Sequence, residues 1–122
     1  MAVNFRGPVD PIMVALAEAI RPYLDAHCSA EAELFRFSPT SVRMRIIDPD
    51  FRGKSRSERH KTLWAILYPL DEDVLGELTM LLLLTPEERA TSTLNRDFEG
   101  PAFAASYSAA LKAAQGSSST TP

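Results

Sequence analysis

The 122-residue chain has the length of one domain, which can bury a core without disulfide or metal cross-links. Its net charge of -3 disfavours nucleic-acid binding over the whole surface, and its single cysteine, Cys28, excludes an internal disulfide. Its longest apolar run, Met80 to Leu84, is far shorter than the roughly 20 residues of a membrane span. Residues 1–7 contain no apolar segment typical of a signal peptide, so we expect a cytoplasmic protein that does not contact a membrane.

The first predicted element is a helix that begins at Pro11, because Asp10 is a preferred N-cap residue and proline is favoured at the first helical position. Apolar residues recur at intervals of four, as in an amphipathic helix: Ile12, Leu16 and Ile20. Pro22 predicts a kink or the end of this helix, because proline removes a helical hydrogen bond. Residues 23–30 are then expected to form a frayed turn and a connection, and residues 1–9 an N-terminal arm.

Two strands joined by a turn are predicted next. Residues 33–37 alternate loosely, and residues 38–41 (Ser-Pro-Thr-Ser) have the composition of a turn. Residues 42–46 alternate strictly, with Val, Met and Ile on one face and Arg43 and Arg45 on the other. The second strand is therefore expected to present a basic outer face.

A second helix and a third strand follow. Ser55 and Glu58 have the spacing of a capping box, which predicts the start of the helix, and Pro69 predicts its end. The apolar stripe of this helix consists of Leu63, Trp64, Ile66 and Leu67. Residues 70–75 predict a short helical turn, and the apolar run at residues 77–84 predicts a strand that is covered on both faces.

The C-terminal part is predicted to be helical. Residues 85–88 (Thr-Pro-Glu-Glu) predict the start of a short helix that ends near Asn95. Residues 98–114 predict a C-terminal helix that packs on the domain or meets a partner through an apolar stripe of Phe103, Tyr107 and Leu111. Residues 115–122 have the composition of a disordered tail.

The predicted element order is α-β-β-α-β followed by C-terminal helices. This order indicates an α+β fold, an αββαβ sandwich with a three-stranded mixed sheet covered on one face by helices. The second and third strands are separated by a helix, so they are expected to run parallel through a crossover connection.

The most distinctive motif lies at residues 51–60 and reads Phe51-x-Gly53-Lys54-x-x-x-x-Arg59-His60. It resembles the central F-x-G-K-x-x-x-x-R-H motif of the BolA family. The likeness extends back through residues 42–47 and forward to the T-P-E-E of residues 85–88, and it implies a BolA-like domain at residues 10–97. The resemblance implies a fold similar to the type II KH domain. It also implies an association with monothiol glutaredoxins, shared iron–sulfur clusters, and transcriptional or stress regulation.

The chain departs from the family's iron–sulfur ligands at two places. Glu77 stands where the family has a histidine, and a hard carboxylate oxygen suits an iron–sulfur centre poorly. The turn at residues 38–41 stands where the family has a longer loop with a cysteine or histidine, and it contains neither. Cys28 follows His27, but two adjacent residues do not make a metal site. We therefore predict no cofactor of the chain's own, no metal site and no catalytic residue.

Five cations lie within ten residues of the motif: Arg52, Lys54, Arg56, Arg59 and Lys61. They either form local salt bridges on a solvated face or bind phosphate together with helix N–H groups, in which case Arg43 and Arg45 extend the basic surface. Gly53 stands at the turn where a KH domain carries its GXXG loop, but the second glycine is absent. Arg59 and His60 are either structural residues at the core edge or surface contacts.

These features predict a binding protein and not an enzyme. The first hypothesis is a BolA-like regulatory or adaptor protein that binds a protein partner of the monothiol glutaredoxin type through the cations of residues 43–61 and the Gly53 turn. The alternative is a KH-like nucleic-acid-binding protein or transcriptional regulator that uses the same residues. A third hypothesis is a homo-oligomeric structural domain.

Overall fold

The computed structural model describes residues 3–99. Its sheet has four strands in the spatial order β1-β2-β3-β4. They are β1 (Val3–Arg6), β2 (Glu31–Ser38), β3 (Ser41–Ile47) and β4 (Leu78–Leu84). The β1–β2 and β3–β4 pairs are parallel and the β2–β3 pair is antiparallel, which confirms the mixed sheet of an α+β fold. The expectation of three strands is wrong.

Five helices lie within the described residues: α1 (Pro11–Ala26), α2 (Arg56–Leu67), α3 (Glu72–Leu75), α4 (Pro86–Thr91) and α5 (Thr93–Glu99). A 3-10 turn at Pro49–Phe51 precedes α2. No helix within residues 3–99 is long and apolar enough to cross a membrane. Beyond Glu99, the predicted helix with Phe103, Tyr107 and Leu111, and the predicted tail, lie outside the described residues.

The strand that sequence reasoning missed is β1, which lies within the predicted N-terminal arm. Its four residues alternate too briefly to identify a strand. It is held in place by β2, where Val3 lies opposite Ala32 and Arg6 opposite Phe35. This pairing brings together segments about 30 residues apart, so it depends on the tertiary fold.

Helix α1 begins where its cap predicts but extends further than predicted. The Asp10 side chain accepts a hydrogen bond from the Met13 amide (3.0 Å), and the helix passes through Pro22 to end at Ala26. Of the two outcomes predicted for Pro22, a kink or the end of the helix, the second is wrong. Tyr23 and Leu24, in the turn that follows, are buried in the core, and this burial outweighs the hydrogen bond lost at proline.

The predicted short helix that ends near Asn95 is in fact two helices. Helix α4 ends at Thr91, and Ser92 has extended backbone angles. The Ser92 hydroxyl accepts a hydrogen bond from the Asn95 amide (3.1 Å), so Ser92 acts as a cap that starts α5. This break lets α5 turn back onto the sheet.

The main core lies between one face of the sheet and helices α1 and α2, as predicted. The inward residues of β3 are Val42, Met44 and Ile46, and all three are fully buried. Leu63 and Leu67 of α2 are also fully buried against this face. Each such side chain contributes roughly 1.5–3 kcal/mol of hydrophobic stabilisation.

The opposite face of the sheet carries α5. Phe98 is fully buried there, with its ring centroid 5.1 Å from that of Phe35, beside Leu82 and Leu84. Arg45, on the same face, is only 5% exposed. The prediction of a solvated basic face at Arg45 is therefore wrong, because α5 covers it.

Candidate functional site

The motif at residues 51–60 forms a closed turn that leads into α2. Gly53 has a φ of +78°, a conformation that glycine adopts without strain. The Lys54 amide donates to the Phe51 carbonyl (3.1 Å) across this turn. The side chains of Ser55 and Glu58 then cap α2 reciprocally, which confirms the predicted capping box.

Arg59 is a structural residue at the core edge. Its guanidinium donates to the carbonyls of Lys54 (3.0 Å) and Leu83 (3.1 Å), and to both carboxylate oxygens of Glu88 (2.6 and 3.2 Å). It is largely buried. Arg59 therefore ties the turn, strand β4 and helix α4 together, and its charge is already paired.

His60 also contacts the free edge of β4. Its Nδ1 lies 3.0 Å from the Arg56 carbonyl, and its Nε2 lies 3.0 Å from the Leu81 carbonyl. A neutral imidazole donates only one of these two hydrogen bonds. His60 and Arg59 thus occupy two carbonyls on the outer edge of β4, those of Leu81 and Leu83.

A groove of about 550 Å³ opens beside this edge, and we call it the β4 groove. It is lined by the outer edge of β4, by the start of α2 and by the α4–α5 region. Side chains alternate along the strand, so Leu81 and Leu83 pack with the main core and Leu82 and Leu84 with the opposite face of the sheet. The lining residues are Lys54, Arg56, Arg59, His60, Leu81–Leu84, Glu88 and Thr91–Leu94. The turn at Gly53 places Lys54 and Arg56 on its rim.

The predicted basic block is partly neutralised. Arg52 donates to both carboxylate oxygens of Glu87, and this hydrogen bond lowers the pKa of that carboxyl to about 2. Within residues 3–99, Lys54, Arg56 and Lys61 form no salt bridge. Of these three, Lys54 and Arg56 line the β4 groove, whereas Lys61 does not.

The Arg59–Glu88 pair predicts a dependence of stability on pH. The hydrogen bond from Arg59 lowers the pKa of Glu88 below its ordinary value of 4.5. The stabilisation of the folded state by the Glu88 carboxylate is therefore complete above pH 4.5, and it is lost as the pH falls through the folded-state pKa of Glu88. We expect Glu88→Gln to cost about 1 kcal/mol or less at pH 7, since the carboxylate is partly exposed, and to weaken the decline below pH 4.5.

Urea unfolding of both proteins between pH 7 and pH 2.5 measures this difference. Glu72→Gln, at an exposed glutamate that forms no salt bridge within residues 3–99, is the matched control and should follow the wild type. If the free energy of unfolding declined equally steeply with falling pH in Glu88→Gln and in the wild type, the pH dependence could not be assigned to the Arg59–Glu88 pair.

Arg43 and Arg45 do not join the groove. Arg45 lies beneath α5, where its guanidinium donates to Asn95 Oδ1 (2.8 Å) and Glu33 Oε1 (3.2 Å). The Arg43 guanidinium lies 3.9 Å from the Phe37 ring centroid on the same sheet face, and burial lowers the pKa of Arg43. The prediction that these residues extend the basic surface of the motif is wrong, because they lie on the other face of the sheet.

Glu77, at the position of the family's histidine, is held in an ion-pair network. Its carboxylate accepts a hydrogen bond from Arg36, which also binds Asp10, the N-cap of α1, at 2.8 Å. The Arg36 guanidinium thus connects α1 to the start of β4. The carboxylate of Glu77 therefore has a structural role in the fold.

A second polar cluster, missed by sequence reasoning, lies at the end of α1. His27 Nδ1 is 2.8 Å from Asp50 Oδ2 and 3.4 Å from Asp48 Oδ2. The Tyr23 hydroxyl donates to Asp48 Oδ2 (2.5 Å), and burial together with this hydrogen bond raises the pKa of Tyr23. More than 20 residues separate His27 from Asp48, so no local spacing reveals the cluster.

Comparisons with known proteins add a likeness of fold. No protein-family model matches the chain, and no curated protein does. A similar solved structure is the BolA domain of SufE1 from Arabidopsis thaliana, with a TM-score of 0.46 and 23% sequence identity over 66% of this chain and 99% of that chain. The likeness is to the family whose motif residues 51–60 resemble. At a TM-score below 0.5 it carries no argument, so function has to be argued from the chain's own residues.

Proposed function

We propose that this BolA-like chain is an adaptor protein and not an enzyme, and that it binds an acidic segment of a partner protein in the β4 groove. The observation that carries the proposal is that Lys54 and Arg56 line the same groove as two accessible apolar side chains, the partly buried Leu81 and the exposed Leu94. Neither cation has a salt-bridge partner within residues 3–99. Cations beside apolar surface suit a segment that carries both carboxylates and apolar side chains.

The outer edge of β4 limits the ways in which the chain can bind such a segment. An exposed edge strand such as β4 can take an additional extended strand. Here the carbonyls of Leu81 and Leu83 already accept hydrogen bonds from His60 and Arg59. Continuous strand pairing is therefore restricted, and the partner is recognised through its side chains and charge.

Aromatic residues extend this surface along α2. Trp64 and Tyr68 follow His60 at intervals of four, so all three lie on one side of the helix. Trp64 is partly exposed and Tyr68 is largely exposed, and Leu94 is exposed on the opposite wall of the groove. Exposed aromatic side chains next to a groove are typical of protein–protein interfaces.

A phosphate-binding role for the same turn is less well supported. The Glu58 carboxylate accepts a hydrogen bond from the Ser55 amide (2.7 Å), so the chain's own anion already lies at the start of α2. Arg52 and Arg59 are paired with glutamates. A phosphate clamp that uses the amides of this helix start would have to displace Glu58, whereas a partner carboxylate needs only the side chains of Lys54 and Arg56, which favours a protein partner over nucleic acid.

The BolA resemblance suggests which partner to test, a monothiol glutaredoxin. Because Glu77 is bound to Arg36, the proposal requires no cluster ligand at this position. The contact is then a docking event in which any iron–sulfur cluster is held by the partner. A regulatory role in the cytoplasm belongs to the same proposal.

Arg56→Glu tests the groove directly, by calorimetric titration with a monothiol glutaredoxin in its apo and cluster-loaded forms. We expect the wild type to bind and Arg56→Glu to bind at least about tenfold more weakly, because a cation on the rim becomes an anion. Lys61→Glu makes the same charge change on the same helix outside the groove, and it should bind like the wild type.

The absence of a complex with either form of the glutaredoxin would overturn this partner assignment. Equal losses of affinity in Arg56→Glu and Lys61→Glu would show that the partner does not bind in the β4 groove. Binding of mixed DNA or RNA oligonucleotides at low salt, abolished by Arg56→Glu, would instead establish the nucleic-acid alternative.

A further inference from the structure

We propose that His27, Asp48 and Asp50 form a binding site for a divalent transition-metal ion where the end of α1 meets the 3-10 turn. One atom from each side chain, His27 Nδ1 and an oxygen of each carboxylate, lies within 4.8 Å of the other two. The cluster shares no residue with the β4 groove. It is therefore a second site, independent of the partner-binding proposal.

The distances suit a common metal ion. A zinc ion binds nitrogen and carboxylate oxygen at about 2.0–2.2 Å, which in a tetrahedral site places neighbouring ligand atoms about 3.3–3.6 Å apart. His27 Nδ1 lies 3.4 Å from Asp48 Oδ2, within this range, and 2.8 Å from Asp50 Oδ2, so Asp50 has to move slightly away from His27 to admit an ion between them. The Asp50 side chain is 65% exposed, so it can move by the small amount that the geometry needs, and water can complete the coordination.

Two of the three ligands are already positioned by the fold. Asp48 Oδ1 accepts a hydrogen bond from the Asp50 amide (2.9 Å), and Asp48 Oδ2 accepts one from the Tyr23 hydroxyl (2.5 Å). His27 is the C-cap of α1, and its ring stacks on that of Tyr23 with centroids 4.0 Å apart. Tyr23 thus orients both ligands, in the way that outer-shell hydrogen bonds and packing orient metal ligands.

The charges of the cluster give a second, independent argument. Asp48 is only 1% exposed, and a buried carboxylate is normally paired with a cation or bound to a metal. Within residues 3–99, no Lys or Arg forms a salt bridge with Asp48 or Asp50, and His27 alone contacts both. A divalent ion balances the two carboxylates, and the imidazole ligand favours Zn²⁺ or Co²⁺ over Mg²⁺.

Titration of the tag-free, full-length protein with ZnCl₂, and with CoCl₂ followed by visible absorption, tests the site. We expect one equivalent to bind and the thermal midpoint to rise with the metal concentration. His27→Gln and Asp50→Asn should each weaken binding by at least about tenfold, which is the scale on which altering even an outer-shell partner acts. Asp48 is left unchanged because it is a buried cap.

Two variants serve as matched controls and should bind like the wild type. Asp25→Asn removes an exposed carboxylate two residues before His27, and Cys28→Ser removes the adjacent exposed thiol. Wild-type affinity in both His27→Gln and Asp50→Asn would overturn the proposal, as would loss of binding in Cys28→Ser, which would place the metal on the thiol. The titration uses the metal alone, so its outcome does not depend on the partner-binding proposal.

Discussion

Replacing Arg45 with alanine is expected to lower the free energy of unfolding by about 2–3 kcal/mol. Arg45 is the cation of a polar cluster beneath α5, where it binds Asn95, Glu33 and Glu99. Asn95 is itself buried. Removing the guanidinium leaves Asn95 Oδ1 without its hydrogen-bond donor, and an unsatisfied buried group costs its full desolvation penalty. Glu33 and Glu99 keep their salt bridges with Arg6 and Arg89.

The measurement is urea unfolding at neutral pH, followed by far-UV circular dichroism. Arg21→Ala is the control, because Arg21 forms an exposed salt bridge with Glu18 whose loss should cost under about 1 kcal/mol. Equal stabilities for the two variants would show that α5 does not cover Arg45 in solution.

Phe51→Ala is expected to cost about 3–5 kcal/mol, the usual range for a large aromatic residue removed from a core. Phe51 is only 2% exposed, and its ring lies 6.2 Å from that of Tyr23 and 5.5 Å from the Arg59 guanidinium. Its carbonyl also accepts the hydrogen bond from Lys54 that closes the turn. Alanine keeps this carbonyl, so the expected loss comes from the packing of the ring in the core.

Thermal or urea unfolding checks this expectation against Tyr68→Ala. Tyr68, the C-cap of α2, is 78% exposed, so its loss should change the free energy of unfolding by less than about 0.5 kcal/mol. A small effect of Phe51→Ala would contradict the structural role that the fold assigns to the first residue of the motif.

The candidate site was predictable from the sequence only in part. The motif indicated the turn at Gly53 and the cap of α2, since both depend on neighbours within five residues. It did not indicate which cations remain unpaired. Arg52 and Arg59 meet glutamates about 30 residues later in the chain, and only the packing of α4 beside α2 brings those groups together.

The dependence on contacts between distant parts of the chain also explains the features that were predicted wrongly. Pro22 was expected to kink or end α1, since proline is unfavourable inside an isolated helix. The helix continues because the burial of Tyr23 and Leu24 outweighs that preference. Arg45 was expected to face solvent because it alternates with apolar residues. Alternation identifies two faces of a strand, but it does not show whether a later helix covers the second face.

The amino-acid sequence by itself determined the local elements of this protein: the caps at Asp10, Ser55 and Thr85, the apolar face of β3 and the turn at Gly53. These features depend on backbone preferences and on side chains a few residues apart. Only the tertiary structure decided the strand at Val3–Arg6, the burial of Arg45, the open β4 groove and the meeting of His27 with Asp48. Each of these requires segments that are distant in the chain to pack together, and no local pattern of residues specifies that contact.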